Sequence, residues 1–434
     1  MLKKKSSKFW LSLALFGLIG QIAWVVENMY FNVFIYNMFG ASPTEISVMV
    51  SASSVVATLT TLFIGALSDK IGKRKIFISA GYILWGVSIL GFALVREDII
   101  SAVFPTLTSV SALCIAITVA LDCVMTFFGS SANDAAFNAW LTDAAEPKKR
   151  GMAEGVNSMM PLVAILAVFG GFMSFDLSES RAWCTIFIII GCIVVLVGIA
   201  SIFLLDEGER TVKSEEPYFK TILFSFRPST VKNNPLLYLT VISFALFGIS
   251  IQVFMPYLII YYEVSLELEN YVFVMAPAII LASIVTALFG KCYDKLGFIH
   301  SLIPTLISLA LGYLFLFSFT NTVLVFIGSL LMMTGYLTGM AVFGAMLRDK
   351  IPANRAGAFQ GIRIVGQVLI PGIIGPMIGA WVLSDAEVMI NSDGTESFIP
   401  SRVIFLAALL VLVLVIISVS VIARVLKREK IKNS

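Results

Sequence analysis

The sequence is poor in charge, and this scarcity excludes most functions of water-soluble proteins. Only 13% of its 434 residues are Asp, Glu, Lys or Arg, whereas 59% are hydrophobic. A soluble domain carries about twice that charge, and its core cannot hide so much apolar surface. The net charge is only +3, so nothing in the composition favours a nucleic-acid partner. The composition indicates a protein that crosses a membrane many times.

Residues that carry enzyme chemistry are scarce as well. The chain has one histidine, His300, and five cysteines without a C-x-x-C spacing, which argues against a metal centre. It lacks the G-x-x-x-x-G-K-[ST] loop of ATP-driven pumps and the G-x-S-x-G turn of serine hydrolases. We therefore expect no enzyme activity, no metal and no cofactor.

Twelve apolar runs are long enough to cross a bilayer as helices, which takes about 20 residues each. They cover 10–38, 46–67, 76–95, 107–139, 155–175, 183–205, 236–262, 271–290, 302–320, 322–346, 358–384 and 402–425. None of them alternates as a barrel strand would. The sequence therefore predicts an all-α membrane protein with twelve spans, numbered here 1 to 12 along the chain.

The basic residues predict how these spans are oriented. If the N-terminus is cytoplasmic, 26 of the 30 Lys and Arg residues fall on the cytoplasmic side and only three fall outside. This bias is typical of membrane proteins. We expect both termini in the cytoplasm and a location in the cytoplasmic (inner) membrane of a bacterium.

One connection is long and charged, and it predicts two halves. Residues 206–235 separate an N-terminal bundle of six spans, 1–205, from a C-terminal bundle, 236–434. We interpret the connection as a cytoplasmic linker. It contains apolar residues at the spacing of a short helix on the membrane surface: Phe219, Ile222, Leu223 and Phe226.

Two loop signatures recur in both halves. GALSDKIGKRK, which starts at Gly65, follows span 2, and GKCYDKLGFIH, which starts at Gly290, follows span 8. TDAAEPKKRGMAEG, which starts at Thr142, precedes span 5, and RDKIPANRAGAFQG, which starts at Arg348, precedes span 11. The order is the same in each half, as in carriers built from parallel repeats.

The first of these loops resembles the G-x-x-x-D-[RK]-x-G-[RK]-[RK] loop of the major facilitator superfamily. The resemblance implies two pseudo-symmetric bundles of six helices that alternate in access. It also implies that the loops act as conformational latches, in which a carboxylate meets a base or a helix N-terminus and glycines allow tight turns. We assign the following residues to the conformational gate: Gly65, Asp69, Lys70, Gly72, Asp134, Asp143, Arg150, Asp294 and Arg355.

A narrower resemblance concerns the substrate. The stretch ANDAAFNAWLTDAAEPKKRG and the overall layout are similar to the sugar–cation symporters of the glycoside–pentoside–hexuronide family, and AWVVENMYF resembles the acidic first span of sucrose–proton symporters. The melibiose carriers of that family have acidic residues in span 2. Residues 46–67 contain none, so the resemblance implies protons rather than sodium as the coupling ion.

Charged residues inside hydrocarbon need a partner or a polar cavity, so they are functional candidates. Glu27 lies midway along span 1, where desolvation disfavours its charged form and a proton can exchange. Proton coupling, substrate binding and a purely structural role all remain open for it. The same span carries amides and an indole that suit hydrogen bonding to hydroxyls and stacking on a sugar ring: Gln21, Trp24, Asn28 and Asn32.

Span 4 carries a second acidic stripe. Its polar residues follow one another at steps of four: Asp122, Thr126, Ser130, Asp134 and Asn138. The stripe predicts one helix face toward a wet cavity. Asp122 is the second candidate for proton coupling. Asp134 lies about 18 Å further along the helix, nearer the cytoplasm, where we place it in the gate.

The C-terminal half contributes fewer candidates. Arg363 is the only basic residue within a predicted span. It either pairs with one of the span carboxylates as part of coupling or extends to the cytoplasm. Gln252 and Tyr257 flank Pro256 in span 7, and we assign them to the substrate site. Pro256 should kink that helix.

These observations favour a secondary transporter, most simply a proton-coupled sugar or glycoside symporter that works as a monomer in the lipid bilayer. Two alternatives share the fold. One is a drug–proton antiporter that exports lipophilic cations, and the other is a carrier that moves lipids. All three bind a small molecule between the spans and none binds nucleic acid.

Overall fold

The computed structural model describes residues 2–145, 150–206, 223–268, 270–351, 356–391 and 396–433. Within these residues, twelve helices are long and apolar enough to cross a membrane. Spans 1 to 12 are Ser7–Phe39, Pro43–Ser68, Arg74–Phe92, Val110–Leu141, Gly155–Phe172, Ser180–Leu204, Pro235–Ser265, Val272–Phe289, Lys295–Ser318, Thr322–Lys350, Gly361–Val382 and Val403–Lys427. Each of the twelve predicted runs overlaps one of them, so the predicted all-α membrane fold is confirmed.

The chain folds into two compact units, each of which holds six of the described spans. The first unit is Met1–Tyr218 with Ser392–Ser397, and the second is Phe219–Asn391 with Phe398–Ser434. The α-helices of the first unit are Leu2–Val25, Phe31–Phe39, Pro43–Ile71, Arg74–Phe92, Glu97–Val103, Val110–Gly129, Asn138–Ala144, Arg150–Phe172 and Ser180–Leu204. Its spans 1 and 4 also contain π-helical segments, Val26–Tyr30 and Ser130–Phe137.

The chain from Phe224 onwards continues in the same manner. Its α-helices are Pro228–Asn233, Pro235–Gln252, Leu258–Ile260, Val272–Ser318, Thr322–Lys350, Ala356–Ile364, Ile370–Val382 and Val403–Asn433. The irregular helical segments are the 3-10 turns Phe224–Phe226 and Met255–Tyr257 and the π segments Tyr261–Ser265 and Val365–Leu369. Two short strands, Val388–Ile390 and Glu396–Phe398, pair with each other between spans 11 and 12.

The unit boundary after Tyr218 falls inside the predicted linker 206–235. Residues 207–222 lie outside the described part of the chain, so the surface helix expected around Phe219 and Ile222 is not described. The described remainder of the linker forms the 3-10 turn Phe224–Phe226 and the short helix Pro228–Asn233. Neither the pairing of the two strands nor the helix Glu97–Val103 was predicted.

Local sequence explains where several spans end. Span 2 begins with a capping box, in which the Ser42 side chain accepts from Glu45 N and the Glu45 side chain accepts from Ser42 N. The helix ends at Gly72, whose φ of 88° is left-handed. Gly297 has a φ of 73° and separates span 8 from span 9. The two glycines are counterparts in the repeated loop, so both copies use glycine for a turn that L-residues disfavour.

Small residues hold the spans together within each unit. A Cβ on Gly86 would lie 2.6 Å from Val195 Cγ2, and one on Gly335 would lie 2.6 Å from the Leu309 Cβ. Lipid provides no hydrophobic force between helices, so their packing depends on close backbone approach. The expected kink at Pro256 is present: the α-helix of span 7 stops at Gln252 and resumes at Leu258.

Candidate functional site

Two of the acidic residues of spans 1 and 4 lie in π-helical segments. Glu27 belongs to Val26–Tyr30 and Asp134 to Ser130–Phe137. A π segment inserts an extra residue into the helix, leaves a carbonyl without its usual partner and is frequent at functional sites. Two Asn side chains bond backbone carbonyls in and beside the π segment of span 1. Asn28 Nδ2 donates to Trp24 O at 2.7 Å, and Asn32 Nδ2 donates to Asn28 O at 3.3 Å.

Glu27 and Asp122, called here the carboxyl pair, form the centre of the site. Both are buried, with 7% and 2% of their surfaces exposed. Thr126 Oγ1 donates to Glu27 Oε1 at 2.8 Å. Ser53 of span 2, whose hydroxyl donates to Val50 O at 3.2 Å, lies near the Asp122 carboxyl. The two carboxyls are close enough to interact electrostatically. Spans 1, 2 and 4 therefore meet at this pair within the first unit.

One oxygen of each carboxyl has no partner. Glu27 Oε2 and Asp122 Oδ1 are both buried and accept no hydrogen bond from any described residue. No ion pair reaches either group within the described ranges. Burying a carboxylate without a counter-charge is costly, and two neighbouring carboxylates add their repulsion. An ionised pair would therefore need a compensating positive charge, and a proton on either carboxyl would remove that need.

The residues assigned to substrate binding in span 1 lie beside the carboxyl pair. The Trp24 ring lies 5.1 Å from the ring of Trp85 in span 3, and both indole Nε1 atoms are buried without a partner. Asn32 Oδ1 is also buried and unpartnered. Gln21 is half-buried, whereas Asn28 is exposed. Among the described residues, span 1 thus presents an unpaired donor on Trp24 and an unpaired amide oxygen on Asn32, both within five residues of Glu27.

A second polar group lies further along span 4. Asn133 Nδ2 donates to Tyr82 Oη at 2.8 Å, and Tyr82 Oη donates to Phe16 O at 2.7 Å. Ser130 Oγ donates to Asp134 Oδ2 at 3.1 Å. Asp134 is half-buried, while Asn133 beside it is 3% exposed. These bonds tie spans 1 and 3 to the π segment of span 4.

The loop residues assigned to the gate are only partly described. Gly72 ends span 2 as expected, Lys70 is exposed, and a Cβ on Gly65 would meet nothing closer than Ala135 Cβ at 3.9 Å. The side chains of Asp69, Asp143, Arg150 and Asp294 lie outside the described part of the structure, as does all of Arg355.

Two loop contacts that the sequence did not single out are visible. Arg74, only 8% exposed, donates from Nη1 to Ser68 Oγ at 2.7 Å. In the second unit, Tyr293 Oη donates to Asp349 Oδ2 at 2.6 Å. Each contact joins residues at or near the cytoplasmic loops predicted from the repeat.

The candidates of the second unit occupy different environments. Arg363 is exposed, and its Nε donates to Gln367 Oε1 at 3.0 Å. Gln252 is half-buried against Gly375 of span 11. Tyr257 is wholly buried, and its hydroxyl donates to Pro376 O at 3.4 Å. The contacts of Gln252 and Tyr257 hold span 7 against span 11.

Sequence reasoning missed several polar residues of these spans. Glu263 was left out because span 7 was ended at 262, whereas the helix continues to Ser265 through a π segment. Ser53 and Tyr82 lie in largely apolar stretches and look like ordinary helix residues, and Asn133 is off the four-residue stripe that was followed along span 4. The one sequence signal for this site was the polar stripe at steps of four residues on span 4. Its member Thr126 donates a hydrogen bond to Glu27.

Comparison with known proteins identifies the family. The sequence model of the Major Facilitator Superfamily matches residues 9–376, whereas a search of curated proteins finds no match. The chain resembles the structure of a bacterial homolog of the human lysosomal transporter Spinster, with 17% identity over 97% of each chain and a TM-score of 0.68.

Two further solved structures are similar. The nucleoside transporter NupG has 11% identity over 96% of this chain and 99% of its own, with a TM-score of 0.69. The xylose transporter XylE from E. coli has 15% identity over 94% and 96%, with a TM-score of 0.67. These likenesses show a shared fold. Because the family match spans most of the chain, the protein belongs to the Major Facilitator Superfamily and is a multi-pass membrane transporter, not an enzyme.

Proposed function

We propose that the protein is a proton-coupled symporter of a small polar molecule, a sugar or glycoside, related to the glycoside–pentoside–hexuronide symporters. It acts by alternating access in the bacterial cytoplasmic membrane, with both termini in the cytoplasm. The observation that carries the proposal is the carboxyl pair: two buried acids on spans 1 and 4 that lack any basic partner among the described residues.

The coupling argument rests on the cost of burying charge. An isolated carboxylate inside a low-dielectric interior is destabilised so strongly that it takes up a proton instead. Because Glu27 and Asp122 interact electrostatically, the pair titrates as a unit and never loses both protons readily. The pair therefore keeps one proton and exchanges the second. Gain or loss of that second proton changes the charge in the middle of the first unit, which is what a coupling site requires.

A proton fits the pair better than a sodium ion. Glu27 already has a hydroxyl partner in Thr126, and the Ser53 hydroxyl lies near Asp122. Two free carboxyl oxygens remain, and hard cations prefer more oxygen ligands than that. The described residues contain no group of three or more His, Cys, Asp or Glu residues that could hold a metal ion.

The surroundings of the pair support a polar substrate. The Trp24 ring offers a face on which a sugar can stack, and its unpaired Nε1 offers a donor. Asn32 Oδ1 offers an acceptor. A hydroxylated ring can pair with all of these at once, whereas an apolar ligand would leave them unsatisfied. Two of the structural neighbours are described as transporters of xylose and of nucleosides, which are also small and polar.

Export of lipophilic cations by proton antiport is the second candidate, and one observation favours it. The first unit contains a cavity of about 280 Å³ between spans 1, 5 and 6 whose lining side chains are all apolar, among them Ile22, Phe172 and Ile190. A lipophilic cation could place its apolar body in this cavity. A carrier that moves lipids would use the same cavity.

Transport by the purified protein in liposomes separates these functions. Labelled melibiose, sucrose and xylose are offered under an imposed pH gradient, and ethidium serves as the lipophilic cation. The proposal expects one of the sugars to accumulate with the gradient, and it expects a sodium gradient alone to have no effect. Ethidium efflux that follows the pH gradient without any sugar uptake would replace symport by antiport.

A further inference from the structure

The polar stripe of span 4 connects the carboxyl pair to a third acid. Thr126, Ser130 and Asp134 follow Asp122 at steps of four residues, each of which advances about 6 Å along a helix. The proposed coupling site therefore continues toward the end of span 4 at Leu141. In the proposed orientation this is the cytoplasmic end.

Hydrogen bonds link these groups in pairs. Thr126 donates to Glu27 at 2.8 Å and Ser130 donates to Asp134 at 3.1 Å. Both hydroxyls are buried, with 1% and 0% exposed. A hydroxyl both donates and accepts, so it can pass a proton by exchanging one bond for another. A single water between the two hydroxyls would complete a chain from Glu27 to Asp134.

Burial decreases along this line. Asp122 and Glu27 are at least nine-tenths buried, whereas Asp134 is half-buried and lies about 10 Å from Leu141. The π segment Ser130–Phe137 begins at the hydroxyl that reaches Asp134. Because a π segment rotates the residues that follow it, it sets where the Asp134 carboxyl points relative to Thr126.

Spans 1, 2 and 3 pack against this segment. Their described acidic and basic side chains, with Tyr82, are Lys8 and Glu27 on span 1, Glu45 and Lys70 on the helix of span 2, and Arg74, Lys75 and Tyr82 on span 3, while Asp122 lies earlier on span 4. Asp134 interacts electrostatically with Tyr82 and with Glu27. The Tyr82 hydroxyl is occupied by Phe16 O and Asn133. Among the described side chains of spans 1 to 4, Asp134 is the acid between the carboxyl pair and Leu141.

We propose that Asp134 is a proton relay between Glu27 and the cytoplasm, with the hydroxyls of Thr126 and Ser130 as the bridge. The inference rests on the proposed proton coupling and gives Asp134 a role beyond the gate. Protonated Glu27 passes its proton through the bridge to the Asp134 carboxylate and becomes a carboxylate itself. Asp134 then gives the proton to cytoplasmic water, so charge is conserved at each step.

The test separates proton binding from proton release. Infrared difference spectra of the wild type over a pH titration should show a neutral-carboxyl band that Glu27→Gln removes. In Asp134→Asn this band should remain and should still titrate, because Glu27 still binds its proton. Uphill uptake of the sugar that the wild type accumulates, out of melibiose, sucrose and xylose, should fall at least tenfold. Exchange of that sugar at equal pH should keep its wild-type rate. Ser130→Ala should act in the same direction, and Ser130→Thr should restore uptake.

A matched control uses an acid outside the spans. Asp176 is exposed, and two hydrogen bonds from Ser178 lower its pKa. It is therefore a carboxylate, as Asp134 is in the proposed relay before it receives the proton. Asp176→Asn should leave both uptake and exchange unchanged. Uphill uptake at the wild-type rate in Asp134→Asn would overturn the relay, and so would an equal loss of exchange, which indicates a structural role. If Glu27→Gln removes no band, the proposed function itself fails, and the relay fails with it.

Discussion

Replacing Glu27 by glutamine should uncouple transport without destroying it. Glutamine has nearly the shape of a neutral glutamic acid, and its carbonyl oxygen can still accept the hydrogen bond that Thr126 Oγ1 gives to Glu27 Oε1 at 2.8 Å. The packing around the buried side chain is therefore kept. The variant behaves as a carrier that is always protonated at this position, so it can exchange substrate but cannot gain work from a pH gradient.

The structure also sets the size of the effect. Two adjacent buried carboxyls do not both ionise readily, so the pair keeps one proton and cycles the other. One proton moving through a gradient of one pH unit supplies about 1.36 kcal/mol, which corresponds to about tenfold accumulation. We therefore expect about tenfold accumulation in the wild type and none in Glu27→Gln.

The assay uses proteoliposomes with the transported sugar on both sides of the membrane. Uphill uptake is measured under a gradient of one pH unit, and exchange is measured at equal pH. Asp122→Asn is the partner variant, and it should lose accumulation in the same way because the two carboxyls act as a unit. Tenfold accumulation by Glu27→Gln would refute the reasoning, since a side chain that cannot release a proton would then be dispensable for coupling.

Three further predictions concern packing and the loops. Gly129→Ala should lower the free energy of unfolding by about 1–3 kcal/mol in a detergent melt, because its Cβ would lie 2.7 Å from Trp85; Gly170→Ala, with nothing within 4 Å, should not. If Gly129→Ala is as stable as Gly170→Ala, the close packing of Gly129 against Trp85 is contradicted. Gly72→Ala should cost roughly 1–2 kcal/mol in the same melt because its φ is 88°, and an unchanged melt would argue against the turn. Tyr293→Phe, which removes the bond to Asp349, should cost about 0.5–1.5 kcal/mol; a larger loss would mean that the hydroxyl has a further role.

The fold could be predicted from the sequence because lipid imposes a simple rule. A helix that crosses the bilayer must be apolar over about 20 residues, and the connections keep the charge. The glycines of the repeated loops were predicted to allow tight turns: Gly72 and its counterpart Gly297 have positive φ, whereas Gly65 lies inside the helix Pro43–Ile71. The paired strands after span 11 escaped prediction because each is three residues long and a period of two cannot be recognised over so few residues.

The candidate site was predicted in part. Glu27 and Asp122 stood out because charge is rare in a span, and the structure places both beside Thr126 of the predicted polar stripe. Ser53 gave no comparable signal, because a serine in an apolar helix usually bonds its own backbone, as Ser53 also does to Val50 O at 3.2 Å.

Other features depend on geometry that no local pattern encodes. π segments arise from packing between spans, so their positions at Glu27 and Asp134 could not be predicted. For the same reason Glu263 was placed outside span 7. The bond between Asn133 and Tyr82 joins residues 51 positions apart, and it requires spans 3 and 4 to be adjacent in a particular rotation.

The most direct test of the central claim is to record proton movement together with substrate movement. A pH-sensitive dye inside liposomes follows protons after the accumulated sugar is added outside at equal pH. The account predicts that the lumen acidifies as the sugar enters, with one proton for each sugar molecule, and that Glu27→Gln liposomes show no acidification. Sugar entry into wild-type liposomes without any change in lumen pH would contradict it.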